Sequence, residues 1–577
     1  MQTPLLLGGS VFLSRGFVAN GEVSLANSRI EGHLECINGI FVNPSGVAFN
    51  ADAIDVKGRI FLRAGFRAEG EVNLLNAKLG SNLECDGALL VNPSKMALRA
   101  EGIRVGGSIF LRNGFKAEGE VNFHCAEIGS NLDCERGTFT NPPKSEALGS
   151  GKALNADRVK VAGYVFLRKG VRAKGEVNLL HAEIGSSLEC DNSTFENPWC
   201  EGLAGSGTAL NAEHLKVSGY VFLRNGFRAD GTVNLSNSQI GIDLNCSAGT
   251  CANDRPGTDE QPTIALSADG SKIHGSILLT DGFSAKGEVW VAGAQVGGQI
   301  ACDKAKFDGG LVAQATTAES FFWTRLIDPA NARLDLVNAR VYAIADDSAS
   351  WPAREKLRVD GFVYQRISGS RTPKTSKERL NWLSRQGKFA TQPYTQLAGV
   401  LRDSGDDTGA RNVLFEMECL KRRQPGIARW SQAWGKILQG TIGFGFYPGR
   451  SVTWLVLLVA VCTATYWHGY SAGAFSPTGK AAYEFFSRTK YVQPEYVRFS
   501  ATTYALENLL PFVRLGQTEH WQPNPEREWR CTGRGTVPSC LASTPSFLRG
   551  VRLFEVLLGW FLATMFVAAV TGVVRRD

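Results

Sequence analysis

The sequence predicts an all-β parallel β-helix, or solenoid, followed by a small α-helical collar and a two-helix transmembrane domain. Three observations point there: a repeat of fixed length through the first half, strict period-two alternation inside it, and two long apolar runs near the end. With 44% hydrophobic and 20% charged residues, the 577-residue chain has the composition of folded protein. Its 62 basic and 55 acidic residues leave a net charge of only +7, too little to imply nucleic acid as a partner.

The repeat is marked by Cys36, Cys85, Cys134, Cys190, Cys246 and Cys302, spaced 49, 49, 56, 56 and 56 residues apart. Gly16, Gly65, Gly114, Gly170, Gly226 and Gly282 keep the same intervals. The seven-residue increment first appears in "NPPKSEALGSGKALNA", which reads as a longer loop on an unchanged scaffold. Within one copy, apolar triplets such as Ile109–Leu111, Val121–Phe123 and Ile128–Leu132 recur about every 11 residues. Pieces this short, without hairpin turns between them, predict parallel coils stacked on one another, two coils to a repeat.

In "GSNLDC" the order Leu132, Asp133, Cys134 alternates in, out, in, so the marker cysteines form a column within the core. Two coils at about 4.8 Å each would part neighbouring cysteines by about 9.6 Å, beyond disulfide reach. No CxxC occurs, and the seven histidines are scattered, so the column reads as small hydrophobes with no metal or cofactor. The outward neighbours Glu35, Glu84, Asp133 and Glu189 form an acidic row, and Arg63, Arg112, Arg168 and Arg224 a basic one. Both read first as a solvated face and second as a partner surface.

After Cys302 the repeat fades, though Ala332 to Asp347 still alternates and is expected to supply the last coils, with "FFWTRLIDP" as an aromatic plug at the coil end. This places the repeat domain at 1–370. The collar follows at 371–436: Thr375 with Glu378 is a capping box, and Tyr394, Leu397, Val400 and Leu401 have helical spacing, in a pattern resembling one tetratricopeptide-like helix pair.

The membrane domain at 437–577 holds spans at 451–470 and 553–574, with Trp454, Tyr466, Trp467 and Trp560 expected at the bilayer interfaces. Basic residues from Lys421 to Arg450, and again Arg575 and Arg576, predict that both termini are cytoplasmic. No basic region followed by a sustained apolar run opens the chain, which agrees with reduced coil thiols. Cys531 and Cys540, in the external loop, are expected to pair as a disulfide.

Residues 499–521 have the length of a re-entrant half-helix, so Glu507, Asn508 and Arg514 are the residues to weigh for a pore loop. A filter run is missing there; "TIGFGF" at 441–446 precedes the first span, where its topology is wrong. Glu555 reads as half of an interfacial pair with Arg552 one turn earlier, and Gly559 with Ala563 as a small-residue face for close approach of the two spans or of two subunits.

The run "FFWTRL…ARLDLVNARVYAIADDSASWP…DGFVYQRI…QPYTQLAGVLRDSGDDTGARNVLF", followed by two spans, resembles a bacterial family of repeat-bearing membrane proteins often labelled membrane-associated oxidoreductases. That label implies redox chemistry but transfers no catalytic residue, and neither GxGxxG after a strand, GxxxxGK[ST] nor CxxCH accompanies it. The preferred expectation is a membrane-anchored scaffold, sensor or recruitment platform, a homo-oligomer with a cytoplasmic protein partner, more a binding protein than an enzyme. A two-span channel or signalling device is the second expectation, and the oxidoreductase the third.

Overall fold

The computed structural model describes residues 5–143, 150–258, 262–510, 513–524 and 544–571. Two compact units divide the chain, Met1–Ala410 and Arg411–Asp577. The first is a parallel β-solenoid of about 15 turns.

Every strand pairing in the solenoid is parallel, and the register confirms two coils to a repeat. Leu34 stands beside Ile60, Ile60 beside Leu83, Leu83 beside Ile109 and Ile109 beside Leu132, so coils of 26 and 23 residues alternate. Where the repeat lengthens, Leu132 meets Val165 and the longer coil takes 33 residues. The unbroken strand Leu89–Arg99 is replaced by two strands, Thr138–Thr140 and Lys152–Asn155, and in the next repeat a loop at 197–207 joins Thr194–Glu196 to Thr208–Asn211. An asparagine closes this corner at either length, since Asn92 Nδ2 donates to Met96 O at 2.6 Å and Asn141 Nδ2 to Lys152 O at 2.8 Å.

The glycine marker has a backbone cause. Asn113 and Gly114 both have positive φ (55° and 90°), as do Asn225 and Gly226 (54° and 89°). Two successive left-handed residues make the tight turn that otherwise joins hairpins, here used to turn one flat face into the next.

Coils continue beyond the expected aromatic plug. Phe321 and Trp323 are buried inside a rung, Trp323 stacking on Phe307 at 5.3 Å, and further strands run to Val363–Ile367. What closes the open edge is helical. Helix α1 (Ser376–Leu383) starts with the expected capping box, Thr375 Oγ1 accepting from Glu378 N and Glu378 Oε2 from Thr375 N. Helix α2 (Gln392–Asp403) supplies side-chain partners for the last rung: Gln392 accepts from Gly361 N at 2.9 Å and donates to Phe362 O at 3.1 Å, and Gln396 donates to Tyr364 O at 2.6 Å. Unpaired strand groups are thereby satisfied, which suits an end that must not template another chain.

Helix α3 (Asp407–Lys421) crosses from one unit to the next. The second unit then holds α4 (Arg429–Thr441), α5 (Gly449–Ser471), α6 (Lys480–Thr489), α7 (Ala501–Leu509), the single turn α8 (Gln517–His520) and α9 (Pro545–Val570). Helices α5 and α9 are long and apolar enough to cross a membrane, and only 17% and 22% of their apolar stretches are buried in protein. A core helix of a soluble protein would be mostly covered.

Candidate functional site

The six marker cysteines lie in one column of the core, each 0–1% exposed. Leucines separate them: Leu62 falls between Cys36 and Cys85, Leu111 between Cys85 and Cys134, and Leu279 pairs in register with Cys302. Each thiol from Cys36 to Cys246 therefore lies between leucine rungs, while Cys302 has Leu279 on one side and Trp323 on the other. Burial pushes Cys36 up to about 12 and raises Cys134 in the same sense, which keeps them protonated and unreactive. Cys125 and Cys200, in contrast, are exposed. Treatment of the native protein with N-ethylmaleimide should modify these two within minutes and leave the six column thiols untouched until denaturant is added. Peptide mass spectrometry reads the pattern, and rapid labelling of Cys134 would contradict the packing.

The acidic and basic rows interlock. Arg63 bonds Glu84 at 2.8 Å, Arg112 lies 3.0 Å from Asp86 and 3.2 Å from Asp133, Arg168 joins Glu135 and Glu189, and Arg224 meets Asp191 at 3.1 Å. Each guanidinium also covers the ring two residues before it, Arg112 over Phe110 at 4.1 Å and Arg224 over Phe222 at 3.7 Å. Asp133 points outward as expected, yet it is buried beneath Arg112. Arg63–Glu84, Arg112–Asp133 and Arg168–Glu189 thus join one row to the other.

Another face is concave. A groove of about 1090 Å³ follows the coils from Asp55 to His274, its floor made by residues such as Gly106, Gly129 and Gly241. Ala162 and Ser218 share this floor, but the glycine positions have no room for a side chain: a Cβ on Gly106 would stand 2.6 Å from Gly80 O, and one on Gly241 2.0 Å from Ser218 O. Along the rim, Arg104 pairs with Glu127 at 3.3 Å and Lys216 with Glu183 at 3.2 Å. From Arg104 through Glu127, Lys160 and Glu183 to Lys216 the rim alternates in charge, stepping by about 4.8 Å per coil.

In the second unit, α7 packs against both α5 and α9. The three pore-loop candidates have different surroundings. Glu507 accepts from Gln517 N, Thr518 N and Thr518 Oγ1 at 2.7–3.0 Å; burial opposes its charge, but these bonds hold the carboxyl below its usual range. It ties the start of α8 to α7. Asn508 is buried, donating to Tyr504 O and accepting from Arg552 Nε at 3.1 Å, while Arg514 is exposed. The "TIGFGF" run folds into the turn Gly443–Gly445, with Phe444 buried among Cys419, Leu438 and Ala569. Cys531 and Cys540 lie outside the described residues.

Three expectations for the apolar helices are corrected. Because Arg552 turns to Asn508, the pair with Glu555 does not form; Glu555 is fully buried and accepts from Tyr466 Oη at 2.6 Å. Tyr466 is thus interior, whereas Trp454, Trp467 and Trp560 are exposed. Gly559 meets α7, not the other long helix, a Cβ there standing 2.2 Å from Leu509 O.

No family model matches the chain, and neither the curated proteins nor the solved structures yield a match. The features that sequence reasoning missed, the axial groove and the Glu555–Tyr466 bond, share a cause. The first is a shape made by spaced glycines, and the second joins residues 89 positions apart.

Proposed function

We propose that this protein is a membrane-anchored scaffold whose solenoid presents a long groove to an extended partner. The observation that supports it best is the continuous groove in a chain that also carries two largely uncovered apolar helices. A repeating lattice suits a partner that lies along it, and exposed faces such as Val456, Leu457, Leu553 and Leu557 suit lipid. In this reading α5 and α9 span a bacterial inner membrane, both termini are cytoplasmic on the basic-residue rule, and the helices before α5 act as a collar. The scaffold assembles as a homo-oligomer and holds a cytoplasmic protein.

The test is fractionation with topology mapping. Carbonate washing should leave the chain in the membrane pellet, and an impermeant maleimide should label Cys200 only after spheroplasts are lysed. Release by carbonate, or labelling of Cys200 in intact spheroplasts, would refute the anchor or its orientation. In liposomes, Glu507→Gln should leave ion flux at the empty-vesicle level; flux that the variant alters would favour a channel instead.

A further inference from the structure

One register position of the solenoid changes character part-way along the coils. Along the coils it carries Asn50, Asn73, Arg99, Asn122, Asn155, Asn178, Asn211 and Asn234 in turn, asparagine on seven of eight rungs. Each asparagine oxygen serves the backbone or its neighbour, as when Asn155 Oδ1 accepts from Asn178 Nδ2 at 2.9 Å. Then the series changes to Ser267, Trp290, Val312, Asp335 and Arg358.

The break coincides with a cleft of about 1070 Å³ lined by Trp290, Val312, Ala292, Gln314, Glu288 and Arg333. Trp290 is half-buried and fixed at one edge, its Nε1 donating to Glu288 Oε2 at 2.7 Å. Asp335, fully buried, accepts from Gln314 Nε2 at 2.9 Å, Arg333 Nη2 at 3.2 Å and Arg358 Nη1 at 2.8 Å. Arg333 also lies 3.5 Å from Glu288. A rigid indole with small apolar neighbours therefore stands beside a fork of planar amide, carboxylate and guanidinium groups that hold one another in place.

We propose that this cleft binds a neutral, linear saccharide, one sugar ring lying on Trp290 with its hydroxyls reaching the Gln314, Glu288 and Arg333 fork. The indole offers the flat apolar face that a pyranose C–H surface covers, and the planar side chains offer donors and acceptors for its hydroxyls. Because the carboxylates and guanidiniums already neutralise one another, the fork favours hydroxyls over an anionic group. The reading does not depend on where the solenoid lies relative to a membrane.

The test uses the full chain in detergent on an array of immobilised glycans of defined linkage, followed by calorimetry with any neutral oligosaccharide retained. Binding of a neutral linear glycan should weaken about tenfold or more in Trp290→Ala. It should also weaken in Gln314→Ala, survive largely in Trp290→Phe, and be unchanged in Trp434→Ala, which alters an exposed indole of the other unit. Circular dichroism matching the parent shows that the variants fold. Retention of no neutral glycan, retention of acidic glycans alone, or binding indifferent to both Trp290→Ala and Gln314→Ala would overturn the proposal.

Discussion

Replacing Arg379 with alanine should unzip the carboxyl-terminal end of the solenoid. Arg379 and Asp346 form an ion pair in which both side chains are 1–2% exposed, joined through Nη1 at 2.9 Å and Nη2 at 2.6 Å. Further partners complete the set: Arg379 Nε donates to Pro373 O, and Trp351 Nε1 donates to Asp346 at 2.9 Å. A buried pair is not itself a large source of stability, but removing one member strands the other charge and costs about 3–5 kcal/mol. The loss falls on the cap that α1 and α2 provide, and in a solenoid each rung leans on its neighbours. Hydrogen exchange at Ile344 and Tyr364 should quicken by about two to three orders of magnitude, while the early rungs around Leu83 keep their protection. The double change Asp346→Leu with Arg379→Met should restore most of it, since the stranded charge is gone. Equal exchange in parent and single variant would show that the pair does not hold the cap.

Gly559→Val should loosen the packing of α7 on α9. The new side chain would begin 2.2 Å from the Leu509 carbonyl oxygen, and a backbone group cannot swing aside as a flexible side chain can. Overpacking of this kind costs about 1–3 kcal/mol, and more where a backbone must retreat. The retreat would also pull Asn508 from Arg552 and draw Tyr504 away from Tyr466, whose rings meet edge to face at 5.0 Å. Near-ultraviolet circular dichroism of the detergent-solubilised protein should show the aromatic signal melting earlier in the variant. An unchanged midpoint would mean that α7 does not lie against Gly559.

What the sequence made legible was whatever repeats. The spacing of Cys36, Cys85 and Cys134 specified two coils per unit because a side chain that returns to the core must return in register. The Thr375–Glu378 box was legible because its two bonds close within one turn of helix. The partners of Glu507 were not legible, because Gln517 and Thr518 sit across a chain reversal that no periodicity announces. Glu555 was misread for a related reason: Arg552 is its neighbour in sequence, but Asn508 competes for the guanidinium from another helix. The aromatic run at Phe321 and Trp323 looked terminal because the repeat fades there, although the pairing continues through Ile344 and Ile367 without needing the marker residues.

The strict alternation of cysteine and leucine along the core has a bearing on how such a molecule can change size. Deleting a single turn would set sulfur against sulfur or leucine against leucine and put a long corner where a short one belongs, whereas removing a pair restores every neighbour. Length is thus quantised, and the chain behaves as a ruler graduated in double turns, whose reach can be reset by duplication or loss of whole graduations while the helical stopper at its far end stays as it is.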